Sequence, residues 1–221
     1  MAGWDDFFAM RGLVYHRRMG KLTGFVLAGG QSTRMGADKA FLEWEGRTLL
    51  GRALQSLSNV TPDVYIVGSK QKFSGYGLVV EDEFPNHGPL GGIHAALRAR
   101  AGELNLILAV DMPFVGVEFL EYLVQEAGKS AATVTVPRAG GGWQPLCAVY
   151  RPGFGDLAEQ ALRQDKNKIA WLFDGMELRV LEEAELVIHG FSVSIFQNLN
   201  TPEELHQSKL QMAPRRLPSE I

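Results

Sequence analysis

An apolar run that ends in a pair of glycines places the strongest constraint on the fold. Residues 24–27, Gly-Phe-Val-Leu, have the composition of a buried strand, and Gly29 and Gly30 follow after one alanine. Glycine permits backbone angles that other residues avoid, so the chain can turn sharply here. The amides of such a turn can line an anion-binding concavity, and Arg34 and Lys39 follow with positive charge. The stretch therefore predicts a strand that leads directly into a triphosphate site.

The glycine-rich stretch differs from the two common phosphate-binding patterns. It lacks the closing Gly-Lys-Ser/Thr of a P-loop, and it does not fit G-x-G-x-x-G. From Leu27 to Lys39 it reads LAGGQSTRMGADK, which resembles the L-A-G-G-x-S-x-R-M-G-x-D-K motif of the nucleotidyltransferase superfamily, specifically of the molybdenum cofactor guanylyltransferases. The alternative is a surface turn with solvated charges. The resemblance implies that Arg34 and Lys39 are catalytic and that the nucleotide contacts Leu27, Ala28, Gly29, Gly30 and Lys39.

Composition and charge argue against several classes of function. The 221 residues are 46% hydrophobic, which is enough for a large core in one domain. A net charge of -3 gives no basic field for nucleic acid, and no apolar run approaches membrane-spanning length. The single cysteine, Cys147, cannot form an internal disulfide, and Asp5 and Asp6 lie where a secretory signal would be positive. We therefore expect a cytoplasmic protein with neither a nucleic-acid nor a membrane partner.

Segments typical of strands and of helices alternate along the chain. This alternation predicts a single-domain, Rossmann-like α/β fold, with a mainly parallel sheet flanked by helices. Residues 40–46 should be a turn into the first helix, and residues 138–143 a hairpin-like or mobile loop. The strands are predicted at 24–27, 63–68, 78–80, 104–110, 131–136, 144–150, 178–181 and 195–196, and the helices at 48–57, 90–101, 155–163, 169–173 and from Thr201.

The family resemblance covers the chain from about Leu22 to Gln211. We therefore expect a nucleotidyltransferase domain over residues 22–211 and a disordered C-terminal tail over residues 212–221. Residues 1–21 form an N-terminal extension with three open interpretations. They are a disordered arm, a surface for a partner, or residues that precede a true start at Met19.

Asp111 follows the most continuous apolar strand predicted in the chain and begins the sequence Asp-Met-Pro-Phe. In open α/β sheets, ligands bind at the carboxyl ends of the strands. Mg²⁺ takes few carboxylates together with water and phosphate oxygens, so Asp111 is a candidate metal ligand. The alternative is an N-cap for the helix expected after Pro113. The resemblance implies the metal role, because the family has this Asp-x-Pro at its metal site, and it makes Asp111 catalytic and nucleotide-binding.

Asp82 and the segment from Asn86 to Ile93 are candidates for binding the nucleoside. Asp82 lies just past the third predicted strand, where an aspartate of the related family contacts the nucleotide; otherwise it is a solvated carboxylate. The glycines of the second segment let a flat base lie against the backbone, or simply mark a helix entry. Guanylyl members of the family have P-L-x-G in this place. The resemblance therefore implies guanine, with contacts from Pro89, Leu90 and Gly91.

Two further segments resemble family elements near the second substrate. Gln144 begins Gln-Pro-Leu after a run of glycines, and Asn198 and Asn200 lie in Asn-Leu-Asn-Thr-Pro. The resemblance implies that these three amides bind the acceptor, whereas turn chemistry before a last helix explains the asparagines equally well. Some family members carry a nucleotide-binding Asn after the second strand. This chain has Gly68 and Ser69 there, so we assign that place no role.

The resemblance implies a guanylyl transfer that depends on Mg²⁺. The terminal phosphate of molybdopterin, or of its molybdenum-loaded form, attacks the α-phosphorus of GTP, and pyrophosphate leaves. The implied partners are GTP, molybdopterin or molybdenum cofactor, and proteins of the cofactor pathway or molybdoenzymes. One alternative is a cytidylyl or sugar-phosphate nucleotidyltransferase, which differs in base or acceptor. Another is a non-catalytic factor that binds GTP and delivers the cofactor, without release of pyrophosphate.

Overall fold

Eight strands form one sheet in the part of the chain that the computed structural model describes, residues 21–29 and 38–199. Two more strands, β2 and β3, make a separate antiparallel hairpin there. The strands are β1 (Leu22–Leu27), β2 (Glu43–Trp44), β3 (Arg47–Thr48), β4 (Val64–Val67), β5 (Leu78–Val80), β6 (Leu104–Ala109), β7 (Val134–Ala139), β8 (Gly142–Trp143), β9 (Cys147–Tyr150) and β10 (Leu178–Glu182).

The helices of the described residues connect these strands. Thr48 shows how one of them begins: its hydroxyl accepts a hydrogen bond from the Gly51 amide at 3.1 Å and caps α1. The α-helices are α1 (Leu49–Ser58), α2 (Lys70–Phe73), α3 (Pro89–Arg100), α4 (Val117–Lys129), α5 (Phe154–Leu162), α6 (Ile169–Leu172) and α7 (Glu183–Ile188), and short 3₁₀ helices span Lys39–Phe41 and Val193–Phe196.

The sheet is mainly parallel, as the alternation of elements predicts. Its order is β10-β7-β9-β6-β1-β4-β5, and β8 pairs with β7. The four strands β6, β1, β4 and β5 are parallel neighbours. On the other side β9 is antiparallel to both β6 and β7, and β10 is parallel to β7. The first half of the chain therefore forms a continuous block of four parallel strands.

Side chains alternate between the two faces of the sheet, so each face has its own core. On β1, the fully buried Val26 belongs to the core that includes residues of α1, α4 and α7, while the fully buried Phe25 belongs to the core that includes residues of α3, α5 and α6. On β6, Leu106 and Leu108 join the first core and Ile107 joins the second. None of the helices in the described residues is long and apolar enough to cross a membrane.

Two local predictions are wrong. Residues 195–196 are not a strand but lie in a 3₁₀ helix that begins after Ser192, whose hydroxyl accepts from the Ser194 amide at 3.2 Å. Residues 40–46 are more than a turn, because the 3₁₀ helix at 39–41 and the β2–β3 hairpin precede α1. Glu45 and Gly46 close that hairpin with φ of 49° and 76°, a left-handed pair typical of two-residue hairpins.

Other predictions agree with the structure or fall outside it. The loop at 138–143 is a tight hairpin between β7 and β8, with φ of 60° and 77° at Gly140 and Gly141. The helix expected after Pro113 is α4, whereas α2 and α7 were not predicted. The predicted N-terminal extension, the helix from Thr201 and the C-terminal tail lie outside the described residues, except for Lys21.

Candidate active site

The four parallel strands end side by side. Leu27 of β1 is opposite both Val67 of β4 and Ala109 of β6, and Val67 is opposite Val80 of β5. The segments that follow these strands, 28–29, 68–69, 81–82 and 110–111, therefore emerge along the same edge of the sheet. This register brings the sequence-predicted residues Ala28, Gly29, Asp82 and Asp111 to one side of the fold. Ligands of open α/β sheets bind at this edge.

The turn after β1 is fixed by its own backbone. The amides of Ala28 and Gly29 both donate to the Val67 carbonyl oxygen at 3.0 Å, and the Val110 amide donates to the Leu27 carbonyl at 3.1 Å. Leu27 itself is a core residue with 8% of its surface exposed, so it can meet a ligand mainly through its backbone. Gly30 and Arg34, both predicted site residues, lie outside the described residues.

Lys39 returns to the sheet edge because of a local cap. The Asp38 carboxylate accepts from the Ala40 amide at 3.1 Å and starts the 3₁₀ helix at 39–41. Lys72 of α2 donates to the second oxygen of Asp38 at 2.9 Å, which ties this helix to the segment after β4. The sequence analysis assigned Asp38 no role, although an Asp at a helix entry is a recognisable capping signal.

Lys39 and Asp111 meet at the centre of the site. The Lys39 Nζ lies 3.6 Å from Asp111 Oδ2, and the two side chains are 27% and 19% exposed. Burial raises the pKa of Asp111 above its usual value, and the charge of Lys39 opposes that shift. The pair offers an ammonium group for phosphate oxygens and a carboxylate for a cation. The N-cap alternative for Asp111 is wrong, because α4 begins at Val117 and its N-cap is Gly116.

A carboxylate in this position fits a hard cation such as Mg²⁺, which prefers oxygen ligands. No group of three or more His, Cys, Asp or Glu side chains that could hold a metal occurs within residues 21–29 and 38–199. Asp111 would therefore hold the cation together with oxygens from substrate and water, which is the usual arrangement for Mg²⁺ at phosphates.

Backbone hydrogen bonds bring both predicted acceptor segments to the carboxyl end of β6. The Leu199 amide donates to the Asp111 carbonyl at 2.9 Å, so the exposed Asn198 lies beside the end of β6. Asn200 lies outside the described residues. The Leu146 carbonyl accepts from the Ala109 amide at 2.8 Å, which brings the start of β9 to the same place. This proximity of residues distant in sequence was not predictable from their spacing.

Gln144 has a structural partner within its hairpin. Its side-chain amide donates to the Ala139 carbonyl at 3.1 Å, and its backbone amide donates to the Pro137 carbonyl at 2.9 Å. The side chain is half-buried and holds the β7–β8 hairpin against the segment before β9. The side-chain amide of Gln144 is therefore used within the hairpin, and its side-chain oxygen is the atom that could accept a hydrogen bond from a ligand.

Asp82 and the first turn of α3 form the far wall. Asp82 Oδ1 accepts from the Phe84 amide at 2.8 Å. An ideal Cβ at Gly91 would lie only 2.6 Å from Asp82 Oδ2, so the carboxylate is packed directly against the helix backbone. Burial raises the pKa of Asp82, while the Phe84 amide and the charge of His94 lower it in part. Only glycine at position 91 permits this close approach.

The first turn of α3 lies over the ends of β1 and β4. An ideal Cβ at Gly92 would lie 3.4 Å from Leu27 Cδ2 and 3.5 Å from Val67 Cγ1. Pro89 is exposed at the first turn, whereas Leu90 is fully buried in the core and can offer a ligand only its backbone. Amides at the start of a helix carry partial positive charge and suit polar or anionic ligand groups.

The chain is similar to known proteins over most of its length. The MobA-like NTP transferase domain matches residues 24–178. A probable molybdenum cofactor guanylyltransferase of Clostridium perfringens is 33% identical over 188 residues, which cover 83% of this chain and 94% of the relative. A protein of the same description from Pelotomaculum thermopropionicum is 36% identical over 192 residues, which cover 85% of this chain and 92% of the relative.

A solved structure has the same fold. The molybdopterin-guanine dinucleotide biosynthesis protein A of Archaeoglobus fulgidus is 27% identical and superimposes with a TM-score of 0.73. The superposition covers 86% of this chain and 97% of that protein. The matched domain contains the strands from β4 to β9, most of β1, and both Lys39 and Asp111. The chain belongs to the MobA-like NTP transferase family and is a nucleotidyltransferase.

Proposed function

We propose that the protein transfers the GMP unit of GTP to the terminal phosphate of molybdopterin or of molybdenum cofactor. The products are the guanine dinucleotide cofactor and pyrophosphate. The observation that carries the proposal is the 3.6 Å approach of Lys39 to Asp111, at the strand edge where the glycine turn and α3 also begin. The relatives described as molybdenum cofactor guanylyltransferases support guanosine and the pterin as the two substrates.

The reaction requires charge control more than proton transfer. The acceptor phosphate is already an anion near neutral pH, so no strong general base is needed. One of its oxygens forms a bond to the α-phosphorus of GTP, and the bond from that phosphorus to the bridging oxygen breaks. Pyrophosphate leaves with the electron pair. Two polyanions repel each other during this approach, and the protein accelerates the step by positioning and neutralising them.

The residues at the strand edge suit this task. Lys39 would bind phosphate oxygens near the α-phosphorus, and Asp111 would hold Mg²⁺. When bound there, Mg²⁺ neutralises charge on phosphate oxygens. Arg34 is assigned to the leaving pyrophosphate from the sequence alone. Asp82 and the backbone of α3 from Pro89 to Gly91 would contact the guanosine, and Gln144, Asn198 and Asn200 would contact the acceptor.

The proposal also includes the surroundings of the reaction. We propose a cytoplasmic location, where molybdopterin and GTP are available together. Proteins of the cofactor pathway, or enzymes that use the guanine dinucleotide, are the proposed protein partners. Either would be expected to bind near the carboxyl edge of the sheet, where the product forms.

Thermal unfolding with GTP, CTP, ATP and UTP, each with and without Mg²⁺, tests the nucleotide. A ligand at about a hundred times its dissociation constant adds about 2.7 kcal/mol. In a chain of this size that raises the midpoint by roughly 5–11 °C. We expect this shift with GTP and Mg²⁺. A larger shift with CTP would indicate cytidylyl transfer and not guanylyl transfer. If GTP binds but no pyrophosphate is released when acceptor is added, the protein is a delivery factor and not a transferase.

Asp111→Asn tests the metal role, because its effect on GTP affinity should reverse when Mg²⁺ is added. A carboxylate beside phosphates repels them unless a cation lies between, so without Mg²⁺ the variant should bind GTP more tightly than the wild type. With Mg²⁺ it should bind GTP less tightly and lose transfer about a hundredfold or more. Asp63→Asn is a matched control, because Asp63 pairs with Lys21 at 3.8 Å near the amino ends of β1 and β4. Equal effects of Mg²⁺ on wild type and Asp111→Asn would remove Asp111 from the metal site.

A further inference from the structure

The ring of Phe84 is contacted by two histidines. His94 of α3 meets it edge-on with ring centroids 5.0 Å apart, and His87 does so at 6.0 Å. Phe84 also holds the loop that enters α3, since its amide donates to Asp82 and its carbonyl accepts from the His87 amide at 3.3 Å. Its carbonyl oxygen would lie 3.0 Å from a Cβ at Gly91. Movement of Phe84 would therefore move both Asp82 and the start of α3.

His94 is a buried polar residue that the fold does not explain. Only 1% of its surface is exposed, and neither ring nitrogen has a hydrogen-bond partner among residues 21–29 and 38–199. Glu159 of α5 lies 3.7 Å from Nε2, but that carboxylate already accepts from Arg98 at 2.5 Å. An unsatisfied buried nitrogen lowers stability, so an apolar residue of similar size would serve the core better.

His87 connects the same loop to a distant segment. Its Nδ1 lies 3.1 Å from the Pro85 carbonyl oxygen, and its Nε2 lies 3.1 Å from Asp165 Oδ1 beyond α5. Both neighbours are acceptors, and only the protonated imidazolium can donate to both. These contacts, that with Pro85 foremost, raise the pKa of His87. The other titratable groups around the loop are Asp82, Glu83 and His94, and Glu159 of α5 faces His94.

We propose that His94 and His87 are positioning residues for the guanine nucleotide. His94 acts from the interior and His87 from the surface, and both act through Phe84 on Asp82 and the first turn of α3. The inference rests on the proposed function, which places the guanosine against this wall. The contact between His87 and Asp165 should also make GTP affinity depend on pH. The link is complete below the ordinary pKa of histidine and is lost as pH rises through the raised value.

The test measures the dissociation constant of GTP with Mg²⁺ by calorimetry from about pH 6 to about pH 9. His94→Leu should weaken binding roughly two- to tenfold, the range of an aromatic pair, without a lower unfolding midpoint. His94→Phe retains a ring against Phe84 and should restore most of the affinity. His189→Leu is the matched control, because His189 lies against Tyr122 at 4.7 Å on the other face of the sheet and should bind GTP like the wild type.

The link between His87 and Asp165 is tested by a double-mutant cycle. Asp165 has a φ of 55°, which glycine adopts freely, so Asp165→Gly removes the carboxylate without strain. His87→Gln and Asp165→Gly should each weaken GTP binding about two- to fivefold near pH 6. The double variant should bind GTP no more weakly than either single variant. At high pH all three variants should bind GTP with the affinity of the wild type.

The outcomes separate the inference from the function on which it rests. Wild-type protein that binds no GTP would refute the proposed function. Wild-type protein that binds GTP, with His94→Leu and His87→Gln binding equally well at every pH, would overturn the positioning role alone. If His94→Leu does not fold, the comparison of His94→Phe and His87→Gln with the wild type carries the same decision.

Discussion

Gly91→Ala tests whether the contact between α3 and Asp82 defines the nucleotide site. The added Cβ would lie 2.6 Å and 2.9 Å from the two carboxylate oxygens of Asp82 and 3.0 Å from the Phe84 carbonyl oxygen. Asp82 cannot rotate away without losing its 2.8 Å bond to the Phe84 amide. Overpacking destabilises by about 1–3 kcal/mol. Alanine in a helix is more stable than glycine by about 1 kcal/mol, which offsets part of that loss. The free energy of unfolding should therefore fall by roughly 0–2 kcal/mol.

The neighbouring glycine provides the control. A Cβ at Gly92 would make ordinary contacts of 3.4 Å with Leu27 and 3.5 Å with Val67. Gly92→Ala should therefore raise the free energy of unfolding by about 1 kcal/mol. Calorimetry should give a midpoint about 2–4 °C higher for Gly92→Ala and unchanged or lower for Gly91→Ala. Displacement of Asp82 should also weaken GTP binding by Gly91→Ala roughly tenfold or more, as for loss of one charged hydrogen bond. Wild-type affinity together with a raised midpoint in Gly91→Ala would refute the reasoning.

Three further predictions follow from the site and its surroundings. Lys39→Met removes the charge that lowers the pKa of Asp111, so the acid limb of kcat/KM, where the carboxylate is protonated and Mg²⁺ is lost, should move to higher pH. A pH–rate profile that does not move would contradict this. Gln144→Ala removes one hydrogen bond to Ala139, which should cost about 1 kcal/mol and lower the midpoint by about 2–4 °C. The KM for the acceptor should rise while GTP affinity stays constant. Cys147 is fully buried and burial raises the pKa of its thiol, so it should react with thiol reagents only after unfolding, and rapid labelling of native protein would contradict its burial.

The sequence predicts the parallel half of the fold well because each of its strands ends in a run of three or more apolar residues. The predicted strand at 104–110 is β6 at 104–109, and the predicted helix at 48–57 is α1 at 49–58. Short elements were missed for a physical reason. The hairpin strands β2 and β3 have two residues each, too few for a period to show, and the apolar pair at 195–196 suits a strand or a 3₁₀ helix equally.

The sequence suggests candidate residues for the site but not which of them lie next to each other. Lys39 belongs to a glycine-rich motif and Asp111 to the end of a strand, so different signals in the sequence indicate them. Their approach depends on the register of β1 with β6 and on the cap that Asp38 provides, and both are tertiary facts. In the same way, spacing gives no sign that the Leu199 amide donates to Asp111.

Stability alone does not account for the pair of Lys39 and Asp111. A partly buried ion pair gains little over an apolar pair of the same size, because desolvation offsets the attraction. A protein that only bound GTP would use the lysine and the backbone amides, whereas a carboxylate beside the phosphates would weaken binding by repulsion. The carboxylate becomes favourable only when a cation lies between it and the phosphates. Asp111 would therefore favour transfer over simple binding, and a reversal of its effect on GTP affinity by Mg²⁺ would be direct evidence for that role.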